Sequence, residues 1–227
     1  ENNIEKAKNI FYKITPLFEF QSYYVLIEAL LSDSEKQKVE KLYKSLELDR
    51  NNIWTLFELY YCLKDTDDSY LAYGYLDIAI EIESDFYEAK YERILNLNSV
   101  DNCEIIIQEI LSFPETYIDE NILNTLAFAF FNCYDIDNAE KILFESIKIK
   151  KTKEAFFLLG IIYFDKYDDK TEALNYYNRA LEFNPNDLEV LTEKAWLLFE
   201  IGKVSEAENI FLKMLEIMQN KETYNQV

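Results

Sequence analysis

Histidine is absent from this chain of 227 residues. That removes the commonest general base and the commonest zinc ligand together. Without it, a histidine-based nucleophilic triad has no support. Glycine and proline are scarce, three of each. Gly74, Gly160 and Gly202 stand too far apart for a phosphate-cradling loop. Basic residues are few against acidic ones: 23 Lys and Arg face 43 Asp and Glu, a formal net charge of −20. Such a surface repels nucleic acid and anionic membranes and attracts basic partners. Three cysteines, Cys62, Cys103 and Cys133, show no paired spacing. An odd, unpatterned set points to reduced thiols, small buried hydrophobes in a cytoplasmic setting. The longest apolar run, Phe156 to Phe164, falls far short of the ~20 residues a membrane-spanning helix needs. No signal peptide is visible, and the first residue is Glu1, not Met.

Nearly half of the residues are hydrophobic, so the chain is no disordered tail. The many Ile, Tyr and Phe are β-prone, but their spacing is helical, and periodicity overrides propensity. Small or mid-sized residues recur at Ala7, Val39, Ala72, Asn102, Ala139, Ala173 and Ala207. Four residues after each stands a large apolar one: Phe11, Tyr43, Leu76, Ile106, Leu143, Tyr177 and Phe211. A four-residue offset puts both on one helix face. The rungs are 30 to 37 residues apart, a period of helical-hairpin repeats. Each rung helix follows a partner helix. The clearest unit has Ala155, Phe156, Leu159, Gly160 and Tyr163 on its first helix. A polar turn follows, then Ala173, Tyr177, Ala180 and Leu181, ended by Pro185. Gly160, Ala127 and Ala195 should face Ala173, Ala180, Ala139 and Ala207, so that small residues let two axes approach to roughly 8–10 Å.

The set Phe156, Leu159, Gly160, Tyr163, Ala173, Tyr177, Ala180 and Pro185 resembles the tetratricopeptide repeat, with one extra residue in its turn. The resemblance implies an all-α fold, a right-handed superhelical solenoid of antiparallel helical hairpins. Residues 1–227 read as one such domain. Its parts are a half-repeat at 3–14, repeats near 19–49, 52–84, 86–114, 120–151, 152–186 and 187–218, and a tail at 219–227. Pro16 closes the half-repeat, which is either the remnant of a longer array or an N-terminal cap.

Constellations with chemical potential are few. Asp65, Asp67 and Ser69 imitate the start of a calcium loop, but Tyr70 and Leu76 stand where Gly and Glu are required. Asp165, Asp168 and Asp169 read as a solvated turn. The resemblance implies that the first helix of each hairpin lines an inner groove, where some members clamp a C-terminal carboxylate with Lys, Arg and Asn. Here those places hold Trp54, Glu58 and Tyr61; Glu88, Tyr91 and Glu92; Asn121, Asn124 and Phe128; Glu154; and Glu189, Glu193 and Trp196. Phe57 and Phe157 read equally well as core. Only Asn121 and Asn124 fit a carboxylate clamp, and no Lys or Arg stands near them. Aromatics beside carboxylates suit a basic peptide with apolar anchors.

The expected function is therefore a non-catalytic protein- or peptide-binding scaffold with an acidic, aromatic-lined groove. It needs no cofactor or metal, and takes neither nucleic acid nor membrane. Two alternatives stay open. One is an enzyme subunit on a helical-repeat scaffold, as in protein prenyltransferase α-subunits. The other is a self-associating structural repeat.

Overall fold

The computed structural model describes residues 21–97 and 100–224, with side chains to Gln219. The expected half-repeat at 3–14, with Ala7, Phe11 and Pro16, lies outside the described residues. Among those described, twelve α-helices and no strand are found. They divide into two compact units, Glu1–Arg93 and Ile94–Val227.

In the first unit α1 (Gln21–Leu30) pairs with α2 (Glu35–Leu48), and α3 (Ile53–Leu63) with α4 (Ser69–Ile82). Helix α5 (Tyr87–Asn96) follows, and the unit boundary falls within it. Ala72, Leu76 and Ala79 form one buried face of α4, packed on Leu56 and Tyr60 of α3 and on Phe86 and Ala89. Each fully buried Leu or Ile contributes about 1.5–3 kcal/mol. At α2 the expected rung turns out differently. Leu42 and Ser45 are buried while Tyr43 is exposed. Leu42 has no polar group to satisfy and goes inside; the Tyr43 hydroxyl stays at the surface against Tyr75.

In the second unit α6 (Cys103–Leu111) packs on α7 (Glu120–Asn132). Helix α7 pairs with α8 (Ile136–Ile149), α9 (Lys153–Asp165) with α10 (Lys170–Leu181), and α11 (Leu188–Glu200) with α12 (Val204–Tyr224). Helix α12 runs into the segment read as a tail. Ala127, Ala139, Ala173, Ala180, Ala195 and Ala207 are all buried. Asn102 is the N-cap of α6 rather than a packed rung. Gly160 meets the ring of Tyr177, the large residue of the opposite rung.

A polar pin recurs in both units. Asn52, the N-cap of α3, accepts from Thr55 N and donates to Ser22 Oγ at 2.8 Å. Ser45 donates to the Ser22 carbonyl at 2.8 Å and lies 2.8 Å from Thr55 Oγ1. In the second unit Thr152 caps α9 and accepts from Asn124 Nδ2 at 2.9 Å, while Ser146 donates to Asn124 Oδ1 at 2.7 Å. Each pin ties the start of one hairpin to the interior of the hairpin before it. Buried polar groups satisfied this way set register, because a slipped packing would leave them unpaired.

The expectation of three reduced thiols is overturned. Cys103, at the start of α6, and Cys133, at the end of α7, form a disulfide with Cα atoms 5.9 Å apart. Only Cys62 is free, and it is half-buried. The cytoplasmic expectation rested on reduced thiols and loses that support. Among the described residues no helix is long and apolar enough to cross a membrane.

Candidate functional site

On α3 a three- and four-residue spacing brings Trp54, Phe57, Glu58 and Tyr61 to one face. Trp54 is 44 % exposed and Tyr61 40 %. Phe57 is core: it stacks beside Tyr60 and meets Phe86 edge-on at 5.1 Å. Trp54 leans on Phe86 at 4.9 Å, which holds its indole while leaving the outer face in solvent.

Two candidate carboxylates of this unit, Glu58 and Glu92, are committed. Glu58 pairs with Lys38 of α2 at 3.0 Å. Glu92 of α5 accepts from Tyr60 Oη at 3.0 Å and Tyr61 Oη at 2.5 Å, and lies 3.9 Å from Lys64 Nζ. Lys64 also sits over the Tyr61 ring, 4.7 Å from its centroid. Burial, and then the hydrogen bond to Glu92, push the Tyr61 phenol well above its ordinary pKa. Glu92 is thus an internal brace rather than the solvated groove charge its position suggested. Lys64 was missed, though it follows Tyr61 by three residues on the same face. Glu88 and Tyr91 are half-buried on α5. An open cleft of about 660 Å³ lies between α2 and the end of α3, lined by Lys38, Tyr43, Tyr61, Cys62 and Asp68.

In the second unit the asparagines part company. Asn121 is exposed, whereas Asn124 is buried and spent on the polar pin. It is not available to a ligand, so no two-asparagine clamp exists. Phe128 is half-buried against the core, and Phe157 is core. Glu154 is exposed beside Lys153 at 3.6 Å.

Helix α11 presents Glu189, Glu193, Trp196 and Glu200 on one stripe, at offsets of four, three and four. Trp196 is 55 % exposed, its indole held edge-on by Phe199 and Phe211 at 6.1 and 5.9 Å. Across from it, α9 ends in Asp165. Burial, and then the neighbouring charges Asp165 and Glu189, raise the Glu193 carboxyl above the usual range. Burial, and then Glu200, raise that of Asp165. Neither carboxylate has a cationic partner among the described residues. Asp165, read as part of a solvated turn, is exposed at the end of α9. The spacing Glu154, Phe157, Ile161, Asp165 would have reached it by running the α9 face one turn further.

Such an arrangement can hold a positive charge beside an aromatic plane. Among the described residues no three His, Cys, Asp or Glu side chains cluster to hold a metal ion.

Residues 168–226 match the family model described as tetratricopeptide repeat. A 68-residue stretch, 30 % of this chain, is 34 % identical to the uncharacterized protein ycf37 of Pyropia yezoensis. That match spans 38 % of the relative's length. Among solved structures, PilW, a widely conserved type IV pilus biogenesis factor, superposes with a TM-score of 0.61 at 13 % identity. The superposition covers 90 % of this chain and 99 % of PilW. Yeast Tom70 superposes with a TM-score of 0.51 at 18 % identity, covering 90 % of this chain and 44 % of Tom70. At these identities the likeness is one of fold.

Proposed function

We propose that this chain, whose residues 168–226 match the tetratricopeptide-repeat model, is a non-catalytic scaffold that binds a protein or peptide on the first-helix faces of its hairpins. The carrying observation is the outward placement of Trp54, Tyr61 and Trp196. All three are rigid amphipathic rings, propped by other aromatics and left open to solvent. Rings held this way give contact area at little entropic cost. The partner we propose is basic, with aliphatic or aromatic anchors. The net charge of −20 speeds its approach, though salt screens that field beyond roughly 8 Å. Specificity is therefore local. Asn121, Glu154 and Glu189 stand at the exposed rim.

The test is a peptide-array screen against the whole protein at two salt concentrations. Basic peptides with apolar anchors should bind, and more weakly at high salt. Preference for acidic C-terminal peptides would overturn the reading. One observation favours a second reading, self-association: Leu212, Leu215 and Met218 of α12 are all exposed at spacings of three. A concentration series by light scattering separates the two.

A further inference from the structure

Helix α4 is apolar on two sides, and the hairpin core accounts for one. Ala72, Leu76 and Ala79 fill the buried face. The outer face carries Tyr70, Gly74 and Ile78, four residues apart and so in one row. Tyr70 is 70 % exposed and Ile78 44 %, and a Cβ at Gly74 would meet nothing within 4 Å. Leu71, beside the row, is exposed as well. Helices α8 and α10 offer the same positions for comparison. Their Ala139 with Leu143, and Ala173 with Tyr177, are buried in the register of Ala72 with Leu76. There the outer row reads Asp137, Lys141 and Glu145, or Thr171, Asn175 and Arg179. Asn138 and Glu172 stand where Leu71 does. Two outer faces are thus polar, as water requires, and that of α4 is not. A helix apolar on all sides is one that is covered on all sides, and none of these four residues belongs to the core of its own hairpin.

We infer that the outer face of α4, with Tyr70, Leu71, Gly74 and Ile78, docks an amphipathic helix of a protein partner that has an aliphatic seam and basic flanks. This surface lies on a second helix of a hairpin and is separate from the first-helix face of Trp54 and Tyr61. A row of side chains at intervals of four is a ridge, and here it is broken at Gly74. Ridges of one helix seat in the grooves of another. A large aliphatic side chain of the partner therefore fits the break between Tyr70 and Ile78, and the missing Cβ lets the two axes come close. Tyr70 adds an amphipathic ring at the rim. Charge selects among possible occupants. Asp77 and Glu81 stand three residues after Gly74 and Ile78 and line one edge of the row. Glu81 is exposed, and Asp77 is met only at 3.8 Å by Arg93. A second copy would set the same carboxylates against themselves, with a net charge of −20 on each chain, and an anionic membrane would repel them too. Lys or Arg on the flanks of an incoming helix turns that repulsion into attraction.

The experiment selects on the whole protein from a displayed library of amphipathic helices, each about 20 residues long. The seam is Leu, Ile and Ala, and the flanks vary over Lys, Arg, Glu and Ser. Helices that the Gly74→Gln protein also retains are subtracted first, which removes binders of every other surface. The survivors should carry Lys or Arg at the flanks. By fluorescence anisotropy they should bind Ile78→Glu roughly tenfold or more weakly than the parent. Glu81→Lys should weaken them roughly threefold or more, by less as salt rises. The substituted sites are solvated, Gln and Glu are better helix formers than Gly and Ile, and Glu145 already occupies the matching place in α8. The variants should therefore melt no lower than the parent. Acidic or uncharged flanks among the survivors overturn the proposal, as does unchanged binding to Ile78→Glu. So does a selection that leaves nothing after subtraction. Dimerisation in light scattering that Ile78→Glu abolishes assigns the face to a second copy instead. Co-sedimentation with phosphatidylcholine vesicles that the same variant abolishes assigns it to lipid.

Discussion

Adding one methyl group at Gly160 should weaken the second unit, although alanine is the better helix former. The new Cβ would sit 2.5 Å from Tyr177 Cδ1 and 3.2 Å from its Cζ, with Cε1 closer still. Carbon atoms rest at about 3.5–4.0 Å, so the ring or the helix must give by about 1 Å. The ring has nowhere to go: Tyr177 is fully buried, with the Phe157 ring 6.2 Å away, centroid to centroid. Overpacking costs about 1–3 kcal/mol, and so deep an overlap belongs at the upper end. Ala over Gly returns about 1 kcal/mol of helix propensity. The net loss is about 2 kcal/mol, a fall in melting temperature of roughly 4–8 °C. Gly74 in α4 is the control, because a Cβ there meets nothing within 4 Å. Gly74→Ala should stabilise by about 0.5–1 kcal/mol. Thermal and urea denaturation followed by far-UV circular dichroism reads both variants. A double variant with Tyr177→Leu should recover part of the Gly160→Ala loss. Gly160→Ala melting at or above the parent would refute the packing. So would a strictly additive double variant.

Tyr134 holds φ +63° after α7, in the place Gly202 holds at φ +81° after α11, and its side chain is 90 % exposed. Tyr134→Gly should therefore raise stability by about 1 kcal/mol in urea melts. Cutting the 30-residue loop between Cys103 and Cys133, by reduction or Cys133→Ser, should cost about 3–4 kcal/mol by chain entropy; peptide mapping without reductant should find that link, and Cys62 alone should label with a maleimide. Glu92→Lys should lower the stability of the first unit by about 1–3 kcal/mol, since two phenols lose their acceptor and Lys64 gains a like charge; an unchanged melt would return Glu92 to the solvated groove. Burial pushes the Asp187 carboxyl up, but Lys153 at 3.0 Å and the Val190 amide outweigh it and hold it below the ordinary range. Its contribution is thus fully present above the unfolded carboxylate pKa and lost as pH falls through the lower folded value. Asp187→Asn keeps an N-cap, costs below about 1 kcal/mol at neutral pH, and should flatten the acid limb of the stability curve.

The spacing of small and large residues read correctly where the rung is an alanine, as at Ala72, Ala139 and Ala173, because a helix face is a local property of 3.6 residues per turn. Ala139 with Leu143, and Ala173 with Tyr177, read the same in sequence and in structure. Trp54, Tyr61 and Trp196, offered as groove candidates, are exposed rings. What the spacing could not supply was the partner of each polar group. Asn121 and Asn124 are three residues apart on one helix, yet one meets water and the other Ser146 and Thr152. Glu92 and Glu193 both looked like groove carboxylates; Lys64 and two phenols take up the first, and nothing basic reaches the second. Cys103 and Cys133 meet only because α6 packs on α7. Tyr177 was legible as core, but that its hydroxyl is buried without a hydrogen-bond partner was not. Burial periodicity is written along one helix, whereas hydrogen bonds, charge pairs and disulfides join helices distant in the chain. Their geometry is decided by side-chain lengths and interhelix distances that no single helix contains.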